Sequence, residues 1–137
     1  MPKLTSNERR ALGVAVAAGL ALFVIGVRFS LVPHQAARFF GISTPPGPFD
    51  LHQVIALRDL WIALLMIALA MLREWRALAI CMGLGVLVCF GDAMIVGRSS
   101  GSLPSIAFHV ASGFYCAGAA VLAWRVAQRT SSLELSK

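Results

Sequence analysis

The 137 residues are 58% hydrophobic and 13% charged, with a mean hydropathy of +0.80, whereas soluble domains average about 45–50% apolar and about 25% charged. This composition excludes a large extramembrane domain, and the length suits a single domain of four membrane spans of about 20 residues each. The formal charge of +6 comes from basic residues set between apolar runs, where they fix topology, so the bilayer is the expected surroundings and no nucleic-acid partner is expected.

The first apolar run covers residues 12–32, directly after Glu8-Arg9-Arg10. It exceeds the roughly 7–15 residues of a signal-peptide core and no small-residue cleavage site follows Val32, so it reads as a retained span. Residues Pro33 to Phe49 read as an interfacial loop with a short amphipathic turn near Gln35 to Phe40, because the prolines of Thr44-Pro45-Pro46-Gly47-Pro48 oppose a regular helix. The second span, 50–72, opens on Asp50 as a candidate N-cap. Arg73-Glu74-Trp75-Arg76 is a charged turn, with Trp75 suited to the headgroup level. The third span, 77–96, closes at Gly97-Arg98, and the fourth, 104–126, opens on Pro104, where a first-turn proline loses no helical hydrogen bond. The polar tail from Gln128 is expected to fray. A water-soluble bundle needs a polar stripe along every helix, and Leu60 to Leu72 has none. The predicted class is therefore an all-α integral membrane protein, an up-down four-transmembrane-helix bundle formed by residues 1–137 as one domain.

Lys3, Arg9, Arg10, Arg73, Arg76, Arg125, Arg129 and Lys137 fall on the side of both termini, against Arg28, Arg38 and Arg98 on the other. This asymmetry predicts cytoplasmic N- and C-termini in the cell (inner) membrane.

An ionisable side chain inside a span costs about 2.5–3.5 kcal/mol on insertion scales, so each one is a candidate functional group. Arg58 and Asp59 lie in the second span, Asp92 near the end of the third and His109 near the start of the fourth. An up-down topology brings all of these to one depth in the half away from the termini. His52 shares a helical face with Asp59, and Ser105, His109, Ser112 and Cys116 form a polar or small stripe beside Gly113. Phe108 and Tyr115 are candidate aromatic walls, and Arg28, at the exit of the first span, joins the candidate binding residues. The structural alternative is an Arg58–Asp92 bridge that fixes helix register, with His109 as an interhelical hydrogen bonder.

Histidine and aspartate exchange protons, and an arginine beside them stabilises a developing oxyanion. The set of Arg58, Asp59, Asp92 and His109 therefore suits a membrane-embedded isomerase, cyclase or epoxide-opening enzyme acting on a lipophilic small molecule. The runner-up is a non-catalytic module that binds such a molecule, or an accessory subunit. A small exporter is the third reading, disfavoured because the first span holds no acidic residue.

Cys81, Cys89 and Cys116 contain no C-x-x-C pair and read as small apolar fillers. His52, His109 and the acids lack metal-site spacing, so neither a metal nor a cofactor is expected; haem, held by His52 or His109 as an axial ligand, is the alternative. Gly13, Gly19, Gly83 and Gly85 read as close-packing positions. Four helices with several glycines enclose little surface for a ligand, which predicts a homo-dimer or homo-trimer.

With these residues in place, the chain resembles domain-of-unknown-function family 4267, a group of small four-span membrane proteins. The matching segments are Gly26-Val27-Arg28 with Val32-Pro33 and Phe40-Gly41-Ile42, then Leu57-Arg58-Asp59-Leu60, Gly91-Asp92-Ala93 and the His109 region. The resemblance runs from about Gly19 to Ala123 and implies a four-helix fold without assigning an activity. A looser similarity to DoxX-like proteins lies in the glycine-rich first span and its exit.

Overall fold

A computed structural model describes residues 4–41, 49–99 and 101–134. Its elements are α1 (Ser6–Leu31), α2 (Pro33–Phe40), α3 (Phe49–Met71), α4 (Trp75–Arg98) and α5 (Leu103–Glu134). Four of them, α1, α3, α4 and α5, are long and apolar enough to cross a membrane. The chain is an all-helical multi-pass membrane protein.

The helix boundaries depart from the sequence expectation where capping chemistry prevails over hydropathy. Helix α1 begins at Ser6, six residues before the apolar run, because Thr5 and Glu8 form a reciprocal capping box. The Thr5 amide and hydroxyl each donate to Glu8 Oε2 at 2.8 Å, and the Glu8 amide donates to Thr5 Oγ1 at 3.3 Å. The segment expected to be mostly loop contains a true helix, α2, because Pro33 occupies its first turn and Gly41 closes it at φ 105°. Helix α3 starts at Phe49, so Asp50 lies inside the first turn and is not its cap; residues 42–48, with Thr44 to Pro48, lie outside the described residues. Helix α5 does not end near Val126 but continues to Glu134, through the stretch expected to fray.

Helix α1 packs along α3 and α4 along α5, and these two pairs meet each other less extensively. The close approaches are made by small residues. A Cβ on Gly19 would lie 2.6 Å from Ile67 Cγ1, and one on Gly26 would lie 2.9 Å from Leu60 Cγ. Gly113 acts likewise between α4 and α5, with Phe90 3.1 Å from where its Cβ would be; Gly85 has room for a Cβ at ordinary contact distance from Cys116, and Gly13 and Gly83 face open space, so these three are not close-packing positions. The larger apolar cluster occupies the half near the termini, where Met66, Trp75, Leu78, Met82, Ala123 and Val126 are buried. Phe29, Ala36 and Ala56 form a smaller cluster under α2. The polar residues of the spans lie in this second, distal half.

Candidate functional site: a polar layer beneath a short helix

Helix α3 runs from the distal end towards the termini, α4 returns, and α5 starts again at the distal end. Asp59, Asp92 and His109 therefore reach a common depth, each about 9–15 Å from its helix end at 1.5 Å per residue. Asp59 and His109 are buried, at 7% and 5% exposure, and Asp92 is half-buried. Asp92 of α4 thus lies at the depth of Arg58 and Asp59 of α3 and of His109 of α5.

Its internal pairing differs from the interhelical bridge considered above. Arg58 Nε contacts Asp59 Oδ1 at 3.3 Å, its own neighbour in α3, rather than Asp92 on α4. The pair forms although consecutive helical residues diverge by about 100°, because the long arginine stem curls back: its side chain is 48% exposed and that of Asp59 10%. Asp92 makes no direct hydrogen bond or ion pair among the described residues.

His109 is fixed by α2. Its Nε2 lies 3.0 Å from the Phe40 carbonyl oxygen, and the Phe40 ring packs at 4.3 Å from the imidazole. A carbonyl only accepts, so Nε2 carries a proton, which leaves Nδ1 as the ring atom free to exchange one. Phe108 packs on both His109 and Phe39, and the Ser105 hydroxyl donates to the Phe39 carbonyl at 3.5 Å. Helix α2 is thus held over the layer by Phe39 and Phe40.

The remaining candidates are distributed around this centre. The Nδ1 of His52 is buried without a hydrogen-bond partner, between the rings of Phe29 and His34 at 6.3 and 6.1 Å. The Arg28 guanidinium stacks over Phe39 at 5.4 Å and borders the layer from above. Ser112 is turned onto its own helix, donating to the Phe108 carbonyl at 2.8 Å, so its hydroxyl is already engaged. Tyr115 lies outside the layer: its hydroxyl donates to Val14 of α1 at 2.8 Å, and it borders a separate open cleft of about 250 Å³ with Phe114 and Leu122.

Sequence reasoning missed two features. The Phe40 backbone carbonyl is a partner that no side-chain pattern reveals, although Gly41 after a Phe-Phe pair is a helix-end signal. The second is that Cys89 and Cys116 both lie in the α4–α5 seam, where Gly113 sits against Cys89 and Gly85 against Cys116.

The fold and this layer define a small multi-pass membrane protein with an ionisable cluster shared by three spans. The family model described as Domain of unknown function (DUF4267) matches residues 19–123, and the chain belongs to that family. The matched region contains every residue of the layer. No curated protein and no solved structure matches the chain.

Proposed function

We propose that the layer binds the oxygen-bearing head of a lipophilic small molecule arriving from the bilayer and performs acid/base chemistry on it, of the isomerase, cyclase or epoxide-opening type. The observation that carries this reading is Asp92. A half-buried carboxylate at the depth of His109 and Arg58 that bonds to neither is poorly explained as a structural bridge, since structural charges in a membrane pair directly. Arg58, steadied by Asp59, holds the substrate oxygen as negative charge develops on it. Asp92 removes or supplies the transferred proton, and the Nδ1 of His109 exchanges it with Asp92. Phe108 and the roof of α2 keep bulk water away, and Arg28, His52 and Ser105 line the approach.

The test is untargeted mass spectrometry of lipid extracts incubated with purified protein. The wild type is expected to convert one component into an isomer of equal mass, or into its hydrate for epoxide opening, and D92N is not. Retention of a component by the wild type without conversion supports the runner-up, a non-catalytic binding module. That reading is favoured by the engagement of Arg58 with Asp59 and of His109 Nε2 with Phe40, both of which suit a fixed receptor.

The proposal extends to setting. The basic asymmetry of the sequence supports cytoplasmic termini in the inner membrane, which reporter fusions after Lys137 and within the 99–102 loop test by opposite signals. Between 22 and 28% of each apolar window is buried within one chain, which supports a homo-dimer or homo-trimer. Mass photometry in detergent showing only monomer removes that part.

A further inference from the structure

At the opposite end of the molecule, where the termini lie, an open groove of about 390 Å³ runs between α4 and α5. Ala79, Ile80, Ala120 and Val121 form its apolar length, and Trp124, Arg125 and Gln128 line its outer end. The groove exists because Ala79 and Ala120 are small while Ile80, Val121 and Trp124 stand exposed along its edges. From Ala120 to Gln128 it extends about 12 Å along α5 at 1.5 Å per residue, so it passes from apolar depth to headgroup level.

The charged residue among those that line the groove is Arg125, while at the start of α4 the acid Glu74 lies between Arg73 and Arg76. Arg125 is exposed in the groove wall, and Arg76 lies one turn from Ala79 towards the same membrane face, with Arg129 one turn beyond Arg125. A tryptophan at this level marks the boundary between acyl chains and headgroups. An apolar trough that ends in arginines complements a molecule with an acyl chain and an anionic head, because juxtamembrane basic residues attract anionic lipid and the guanidinium fork matches phosphate oxygens.

We infer that this groove is a binding site for one anionic phospholipid, its acyl chain along Ala79, Ala120 and Val121 and its phosphate at Arg125. The site is independent of the polar layer, about half a membrane away.

Native mass spectrometry of the full chain, released from detergent containing equal amounts of phosphatidylglycerol and phosphatidylcholine, tests it. The wild type is expected to retain one phosphatidylglycerol with a preference of about fivefold or more, the factor that corresponds to one arginine near an anionic headgroup. R125Q is expected to bring the preference to parity, R125K to keep it, and R38Q, at the other membrane face, to leave it unchanged. Filling the trough with A120F removes the retained lipid of either kind, while R125Q stands as an independent test if A120F fails to fold. Equal retention of both lipids by the wild type, or equal losses in R38Q and R125Q, overturns the inference. So does a dimer that A120F dissociates while lipid retention stays constant, since a second copy would then occupy the groove.

Discussion

Replacing Asp92 with Asn separates a site from a scaffold by the sign of its effect on stability. The side chain keeps its shape and loses its charge. If Asp92 were half of a buried bridge, removing it would leave Arg58 uncompensated and cost about 3–5 kcal/mol. In the structure Arg58 already has Asp59 at 3.3 Å, so D92N strands no charge. What it removes is an unpaired carboxylate, whose burden in a span is at most about 2.5–3.5 kcal/mol and smaller near the helix end. The account therefore expects D92N to melt at or above the wild-type temperature in detergent, with conversion or retention of the lipophilic molecule lost, in keeping with sites that trade stability for activity. D59N, which removes a pair whose arginine is half exposed, should cost only about 1 kcal/mol or less. Thermal unfolding followed by circular dichroism and by accessibility of the half-buried cysteines measures both. A D92N loss of about 3 kcal/mol or more, rescued by adding an apolar residue at Arg58, would falsify the reasoning.

Further outcomes follow from the packing. Gly26→Val places atoms against Leu60 and the Ala56 carbonyl and is expected to cost about 1–3 kcal/mol, whereas Gly83→Ala, which meets nothing within 4 Å, is expected to be neutral or stabilising by up to about 1 kcal/mol; equal melting shifts would contradict the helix packing described. Gly41→Ala forces a side chain into a left-handed conformation and against Val96, so α2 should loosen, read as faster hydrogen exchange at Phe39 to Gly41 and increased modification of His109 by diethyl pyrocarbonate. Copper-phenanthroline oxidation should consume two thiols within one chain by joining Cys89 to Cys116, which share the α4–α5 seam, and Cys116→Ser should abolish that loss while Cys81→Ser does not.

The membrane class and the four spans were legible because hydropathy acts over about 20 residues at a time, and the depth of the polar layer followed from topology alone. Asp59, Asp92 and His109 share that layer because antiparallel helices align their distal ends. Pairing within the layer was not legible. Whether Arg58 reaches Asp92 or folds back onto Asp59 depends on the rotamers of a flexible stem, which spacing does not encode. Helix α2 reads as a mere turn in the sequence because Pro45, Pro46 and Pro48 oppose a regular helix over the segment that follows it, although Pro33 sits where proline opens a helix. Tyr115 was assigned to the wrong neighbourhood for a geometric reason: six residues beyond His109 it lies about 9 Å deeper and turns towards α1, where Val14 accepts its hydroxyl proton. Cys89 and Cys116 share a seam between different helices, and neither carries a local motif.

The central claim is that the layer of Asp92, His109 and Arg58 receives a molecule. An electron cryo-microscopy map of the full chain in lipid nanodiscs, at a resolution that defines side chains, tests it most directly. The account predicts density between the Asp92 carboxylate and the His109 imidazole that no side chain explains, lost in D92N, with Arg58 still on Asp59. A dry layer in which Arg58 has swung to bond Asp92 directly, unchanged by added lipid extract, would contradict it.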